Sequence, residues 1–371
     1  MTRGITRRSV LGGGLSFLTG CATPLAGRPR TTRLALLGQS LIKHDVCAQN
    51  WPGRAGISAR LRGSDVVFSD LEVALRGPNS GVPTRDALTL HTAGAQVIDC
   101  LHGLGVNLLA TSNNHAFDLN TGGIVDSVTA LRARGMAFAG TGMNLTEASR
   151  PAVLSTGNGK VALVAAAAGR VREGGMATET RPGVSEIRRH PDGRLDEQDT
   201  ARMFSAIESA AADGAIVVAY LHNHYWEEPN WVTPQWQRMF ARNCVDAGAS
   251  VFVAHGTPLL QGIETYRGRP LLHGLGSFIF QTVKEDFYDA LAWQSVIVEC
   301  RYEGSHFAGA ELIPVQLNPE GDGGAADLET RGRPTLASPA DARLILERLA
   351  LLSDRLGYRL VHDGRRGRIA A

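Results

Sequence analysis

Residues 106–118 constrain the fold of this chain more than any other stretch. An apolar run at 106–110 has the length of a buried strand, and it ends abruptly in the polar string TSNNH before a helical pattern begins. Asn114 and His115 therefore stand at a strand-to-helix turn, where ligands bind in open α/β sheets. Their amide oxygen and imidazole suit a metal ion or a proton transfer. Alternatively, the asparagines cap the helix and His115 only fills the turn.

Strands and helices are predicted to alternate along much of the chain. Apolar runs that predict strands lie at 32–38, 64–72, 160–169, 215–226 and 250–256. Helical patterns lie at 93–104, 122–134, 197–213 and 234–247. Alternation of this kind implies parallel strand pairing and the α/β class.

The later part of the chain has a different pattern. Strands on both sides of the turn at 267–270 precede two more at 292–301 and 309–315, which we expect to be antiparallel. A Gly/Pro/Asp-rich linker is predicted at 318–339, and an amphipathic helix packed on the outside at 340–356.

The composition restricts the class of protein. Hydrophobic residues make up 43% of the 371 residues and charged residues 20%, so the chain is not disordered. Its formal net charge is +2, and no basic stripe with interleaved aromatic residues is present. Nucleic acid is therefore excluded as a partner.

The first thirty residues have the order of an export signal. Arg7 and Arg8 precede a short Gly-rich apolar segment that ends in LTGC at Cys21. RRSVL resembles a twin-arginine signal, and LTGC resembles the lipobox of bacterial lipoproteins, in which the cysteine is acylated. We expect residues 1–30 to be an export signal and lipobox region, removed up to Cys21, and the protein to be a lipoprotein anchored at the periplasmic or cell-surface face of a membrane. The alternative is a frayed leader with a chance arginine pair.

Four cysteines remain after Cys21. They show no C-x-x-C spacing, which argues against a structural zinc site. Disulfides are permitted outside the cytoplasm, but the pairing stays open.

Polar side chains recur where the predicted strands end. They are Gln39, Asp70 with Glu72, Asn114 with His115, His222 with His224, and His255. We expect these groups to converge on one rim of a sheet, because strand ends carry binding sites in α/β folds. Carboxylate, amide and imidazole together suit Mn, Fe or Zn, and such an ion can activate water for hydrolysis. The pattern predicts one divalent metal ion, with His115 placed to protonate a leaving oxygen.

Four separated segments resemble one known family. The strings SDVVFSDLE, SNNHAFD, AYLHNHYWE and DAGASVFVAHGTPLLQGIE, the last followed by GRPLLHGLGSFIF, resemble the CapA family of capsule and poly-γ-glutamate synthesis proteins. The resemblance covers roughly residues 32–316. It implies a four-layer α/β/β/α sandwich similar to metallo-dependent phosphatases, with the metal site along the top edge of two sheets. We therefore expect a CapA-like domain at 31–318 and a linker with a C-terminal helix at 319–371.

The resemblance also implies site residues and partners. Metal ligands are implied at Asp70, Glu72, Asn114, His222 and His255, and His224 is a further candidate. His115 and Asp118 are implied as the catalytic pair. The expected partners are an anionic polymer or phosphate-ester substrate and the membrane proteins of capsule synthesis.

Departures from the family pattern affect the metal count. Gln39 stands where the family usually has Asp, Pro258 stands where its last motif has a second His, and Ser277 replaces an Asn. Gln39 and Pro258 would remove ligands from the same metal of a two-metal site, so we expect one metal to remain. His222 and His224 share a strand face and could bind one ion together; alternatively, one binds and the other hydrogen-bonds as a supporting partner.

Two functions remain open at this point. One is a tethered metal-dependent hydrolase that acts on a phosphate ester or an anionic polymer. The other is a non-catalytic polymer-binding or scaffold subunit of an export complex, with a degenerate metal site. Arg170, Arg172 and Arg181 could clamp phosphate or carboxylate groups, or could belong to a solvated loop. A third interpretation, a secreted protease or esterase, is disfavoured because the sequence lacks G-x-S-x-G and H-E-x-x-H motifs.

Overall fold

The computed structural model describes residues 1, 2, 4, 31–282, 288–324 and 326–371. The predicted twin-arginine pair and Cys21 lie outside the described residues. Among the described residues, none of the helices combines the length and apolar character needed to cross a bilayer.

The first sheet has ten strands and includes the beginning and end of the described chain. Its strands are β1 (Thr31–Leu41), β2 (Val66–Leu71), β5 (Leu108–Ala110), β6 (Ala137–Ala139), β15 (Ser277–Phe280), β16 (Gln294–Glu303), β17 (His306–Leu317), β18 (Pro334–Leu336), β19 (Val361–His362) and β20 (Gly367–Ile369). Their order is β19-β20-β17-β16-β1-β2-β5-β6, with β15 also beside β1 and β18 beside β17. β1, β2, β5 and β6 are parallel, whereas β16 and β17 are antiparallel as predicted.

The second sheet has six strands in the order β13-β14-β12-β11-β9-β8. They are β8 (Ala152–Thr156), β9 (Gly159–Ala168), β11 (Ile216–Asn223), β12 (Val251–His255), β13 (Ile263–Tyr266) and β14 (Arg269–Leu272). Two short pairs complete the strands: β3 (Ala74–Leu75) with β4 (Thr92–Ala93), and β7 (Thr141–Gly142) with β10 (Gly183–Val184).

Seven helices and one 3-10 turn are present among the described residues. They are α1 (Arg54–Leu61), α2 (Gln96–Leu104), α3 (Asn120–Ala133), α4 (Leu145–Ser149), α5 (Glu197–Ala212), α6 (Gln235–Asp246), α7 (Pro339–Asp354) and the 3-10 turn Ala290–Trp293.

The two sheets pack face to face on a shared apolar core. Alternate residues of the first sheet, such as Leu34 and Phe68, meet Val218 and Tyr220 of the second, and the Phe68 and Tyr220 rings lie 5.3 Å apart. The opposite face of the first sheet is covered by α1 and α2, and that of the second by α5 and α6. These layers confirm the predicted four-layer α/β/β/α sandwich. Burying each large apolar side chain contributes about 1.5–3 kcal/mol.

The C-terminal segment belongs to the same core. The sequence suggested an outer helix, but α7 buries Ile345, Leu346 and Leu349 among residues of both sheets. The segment predicted as a linker contributes β18 to the first sheet and contains the fully buried Arg331. The 3.6-residue period showed that α7 has an apolar face but not where that face packs.

Cys47 and Cys100 form a disulfide with a Cα–Cα distance of 5.4 Å. It joins the loop after β1 to α2. Cys244 and Cys300 are buried and free.

Candidate metal centre

Strand register brings the predicted site residues to one edge of the sandwich. In the first sheet Gln39 lies beside Asp70, and in the second His222 lies beside His255. The two sheets are packed with these strand ends on the same side, so the loop after β5 reaches both.

His222 is the hub of the site. It is fully buried at the end of β11, where the all-apolar part of the strand gives way to polar residues. Its Nδ1 lies 3.1 Å from Oδ2 of Asp70, and its Nε2 lies 2.9 Å from Oδ1 of Asn114 and 3.7 Å from Oε1 of Glu72. When Nδ1 carries the ring proton toward Asp70, the lone pair on Nε2 faces the oxygens of Asn114 and Glu72.

Glu72, His222 and His224 form a potential ligand set, with one donor atom from each lying within 4.8 Å of the others. Glu72 is 3% exposed, and its Oε2 has no hydrogen-bond partner among the described residues. Both buried ring nitrogens of His224 also lack a partner there. Burial raises the pKa of Glu72 well above its usual value, and Asp70 adds to the rise. Burial lowers the pKa of His224 well below its usual value, and His222 adds to that.

This donor set fits a divalent metal ion. A buried polar atom left without a partner costs about 1–3 kcal/mol, and a cation would satisfy Oε2 of Glu72 and one ring nitrogen of His224 at once. One carboxylate and two imidazoles form a common ligand set for Zn and related ions, whose bonds of about 2.0–2.2 Å small side-chain movements would bring within reach. Oδ1 of Asn114 is placed as a fourth donor.

Asp70 and His255 occupy different positions from these ligands. Asp70 holds the opposite nitrogen of the His222 ring, and its Oδ1 accepts a 3.1 Å hydrogen bond from Asn113. His255 contacts His222 only through the Tyr220 hydroxyl, which lies 3.2 Å from Nδ1 of both histidines. A metal-ligating histidine commonly has a carboxylate on its other nitrogen, so this geometry makes Asp70 a supporting partner of His222.

The turn after β5 holds His115 against Asp118. Its Nδ1 lies 2.8 Å from Oδ2 of Asp118, whose other oxygen accepts a 2.5 Å hydrogen bond from Arg85. The helix-capping alternative is wrong, because α3 has Leu119 at its N-cap without a side-chain cap. Asn113 instead accepts a hydrogen bond from the His115 backbone N–H and donates to Asp70.

His115 is buried, and its ring stacks on His91 with 3.7 Å between centroids. Burial lowers the pKa of His115 well below its usual value, with Arg85 and His222 adding to the shift. The ring is therefore neutral near pH 7. Burial raises the pKa of Asp118, and Arg85 opposes that rise.

Arginines surround the site, and sequence reasoning missed the most important of them. Arg85 bonds Asp118 and the Asn114 carbonyl oxygen. Arg170 stacks over Trp226 at 4.9 Å, and Trp226 packs on His224 at 4.5 Å. Arg85 lies in an irregular loop that has no hydrophobic periodicity and no motif. Its only sequence signal was its position, as a cation between two predicted strand ends.

Gln39, which stands where the family usually has Asp, is engaged by the protein itself. Oε1 of Gln39 accepts a 2.9 Å hydrogen bond from the Gly256 backbone N–H, which closes the loop after β12. An amide that is engaged in this way supplies no charge to an ion.

The four layers and the imidazole–carboxylate cluster at their shared edge define an α/β sandwich protein with a candidate metal site. Residues 34–282 match the family described as bacterial capsule synthesis protein PGA_cap. The chain belongs to this family, which confirms the CapA resemblance.

Several relatives show the same kinship at modest identity. A Sinorhizobium fredii protein, uncharacterized protein y4sH, is 24% identical over an alignment of 430 residues that covers 91% of this chain and 92% of that protein. A probable polyglutamine synthesis accessory protein of Mycobacterium tuberculosis is 29% identical, covering 71% of this chain and 66% of the relative. The PGA biosynthesis protein CapA of Bacillus subtilis is 25% identical, covering 59% and 54%. The chain thus spans about half the length of that CapA protein.

Among solved structures, a 5'-nucleotidase precursor from Thermus thermophilus aligns with 88% of this chain and 59% of its own, at 12% identity and a TM-score of 0.41.

Proposed function

We propose that this chain is an exported, membrane-tethered capsule protein whose single-metal site hydrolyses a phosphate ester or processes an anionic surface polymer such as poly-γ-glutamate. One observation carries the proposal. Glu72 and His224 lie beside His222, and both have buried side-chain atoms without a hydrogen-bond partner among the described residues.

Glu72, His222 and His224 would hold the ion, and Asn114 would complete the set. A divalent ion there supplies Lewis acidity and lowers the pKa of water. Asp70 fixes the orientation of the His222 ring and increases its basicity as a ligand.

In this proposal His115 accepts a proton from the attacking water. Asp118 holds the proton on Nδ1, which leaves a lone pair on Nε2 of the neutral ring. Burial lowers the pKa of His115, so the ring is neutral near pH 7 and can accept a proton, whereas the sequence suggested a proton donor.

The positive charge around the site favours an anionic substrate. Arg85, Arg170, Arg172 and Lys43 all add positive charge near the site imidazoles. Guanidinium groups bind carboxylate and phosphate in a bidentate manner, which suits both substrate classes. The name of one relative contains PGA biosynthesis, and the resemblance to poly-γ-glutamate synthesis proteins favours a polymer of carboxylates.

The proposed location outside the cytoplasm rests on two observations. The LTGC string at Cys21 is the sequence signal, and the Cys47–Cys100 disulfide is typical of oxidising compartments. Capsule synthesis membrane proteins at that face are the proposed partners.

Metal analysis tests the proposal. Protein purified without added metal should carry about one equivalent, and His224→Ala should lose it. His273→Gln is the control, because His273 is a buried histidine of the same sheet whose ring is already satisfied by Glu264 and Gln237. Equal metal content in all three proteins, or none in the wild type, would contradict the proposal.

The second candidate is a non-catalytic polymer-binding subunit of an export complex. Gln39 favours this candidate. A second metal would need a carboxylate at this position, but the residue is an amide that is hydrogen-bonded to the Gly256 backbone N–H. Turnover of a phosphodiester reporter separates the two: a loss of at least about 100-fold in His115→Ala supports catalysis. Equally poor turnover by wild type and variant, with polymer binding retained, supports the binding subunit.

A further inference from the structure

A groove of about 1040 Å³ lies at the end of the first sheet opposite the metal centre. It is lined by the start of β1, the end of β16, the C-terminal part of the chain and the end of α1. Arg33 and Arg301 face each other there across paired strands. Arg33 is six residues before Gln39, so the groove and the metal centre lie about 20 Å apart along β1.

The groove carries an excess of positive charge. Its two glutamates are neutralised, because Arg60 pairs with both Glu299 and Glu311, and Arg366 also pairs with Glu311. Arg33, Arg359 and Arg368 have no ion pair among the described residues and are exposed.

The acidic groups close to these arginines do not cancel that excess. Asp363 acts electrostatically on Arg368, and Asp65 accepts a 2.7 Å hydrogen bond from the Arg33 backbone N–H. These two carboxylates stand against four arginines, which are Arg33, Arg301, Arg359 and Arg368. Arg301 donates only a weak 3.5 Å bond to the Ala308 carbonyl.

We propose that this groove binds the phosphate headgroups of anionic phospholipids and seats the protein on the membrane with its metal centre facing away. Guanidinium groups grip phosphate through two parallel hydrogen bonds. Val361, which is 63% exposed, stands beside the arginines and adds an apolar contact suited to a bilayer interface.

The path of the chain favours a lipid over a soluble ligand. β1 begins at Thr31, ten residues after Cys21, and two residues before Arg33. An acyl chain at Cys21 would hold this edge within about 35 Å of the bilayer, the reach of ten extended residues. Each arginine near an anionic surface strengthens binding about fivefold.

Vesicle binding by the full chain carrying Cys21→Ser tests the proposal without help from an acyl group. We expect this protein to bind vesicles containing phosphatidylglycerol more than about tenfold tighter than vesicles of phosphatidylcholine alone, and high salt should weaken the preference. Adding Arg359→Glu and Arg368→Glu should weaken phosphatidylglycerol binding by about 25-fold or more.

The control variant carries Arg150→Glu and Arg194→Glu, which change the net charge equally at exposed positions away from the groove. It should keep most of the preference for phosphatidylglycerol. Equal loss in both variants would overturn the assignment, because net charge alone would then explain binding. The assignment would also be overturned, in favour of a polymer site, if soluble poly-γ-glutamate displaced the wild-type protein from the vesicles but did not displace the groove variant. Both measurements are independent of the metal centre.

Discussion

Two buried clusters, one within the second sheet and one between the two sheets, both combine glutamate with histidine and behave oppositely. In one, Nε2 of His273 lies 3.1 Å from Glu264, which also receives hydrogen bonds from Arg238 at 2.8 Å and Arg242 at 2.9 Å. In the other, Glu72 lies beside His222 and His224; among the described residues it has no ion pair with an arginine or lysine, and one of its oxygens has no partner.

The pKa values of the two carboxyl groups diverge for that reason. Burial alone would raise the pKa of Glu264, but the bonds from His273, Arg238 and Arg242 outweigh burial and lower it. At Glu72, burial and the negative charge of Asp70 both raise the pKa. A satisfied cluster stabilises the fold, whereas an unsatisfied one costs stability and is expected to hold a ligand.

The largest effect is expected at the satisfied cluster. Glu264→Gln should lower the free energy of unfolding by about 3 kcal/mol at pH 7, because two arginines lose their buried partner. The folded-state pKa is below the usual 4.5, so the contribution is present above that pH and disappears as the pH falls. Urea denaturation at pH 7 and pH 3 measures both. A variant as stable as the wild type at pH 7 would remove the contrast between the clusters.

An intermediate case is Glu186, whose pKa is raised to about 7 by burial and by Asp199. Its folded-state pKa exceeds the usual 4.5, so the wild type loses stability as the pH rises through this window. Glu186→Gln should be about 2 kcal/mol more stable than the wild type at pH 8 and equally stable at pH 4. The exposed Glu208→Gln is the control, and thermal unfolding at both pH values is the measurement. A pH-independent difference would contradict the assignment.

After removal of metal, the smallest effect is expected at Glu72, with the opposite sign to Glu264. After chelation, Glu72→Gln should be about 1 kcal/mol more stable than the wild type at pH 7–8, because a neutral amide removes a buried carboxylate without a partner. With metal at about 100 times its dissociation constant, the wild type should instead gain about 2.7 kcal/mol that the variant lacks. Unfolding with and without chelator measures both. Destabilisation of the chelated variant would make this cluster structural, like that of Glu264.

Much of the site could be predicted from the sequence because strand ends in a parallel sheet share an edge. Asp70, Asn114, His222 and His224 do meet there. The different contacts of these residues could not be predicted: Asp70 contacts one ring nitrogen of His222, and Asn114 contacts the other. That difference depends on ring orientation, which no pattern of residues encodes.

Residues in irregular loops were beyond prediction for another reason. Arg85 reaches Asp118 and Asn114 from a loop whose course depends on packing against α3, and neither its spacing nor its neighbours signal that role.

The sequence alone determined the alternation of strands and helices, the polar strand ends and the family, because these depend on local periodicity and on residues that can be read one by one. Only the tertiary structure decided which carboxylates are satisfied, that α7 closes the core, and that unpaired arginines gather at the far end of β1. Those properties depend on contacts between residues up to hundreds of positions apart, where burial and the charge of a neighbour, rather than residue type, set the energy.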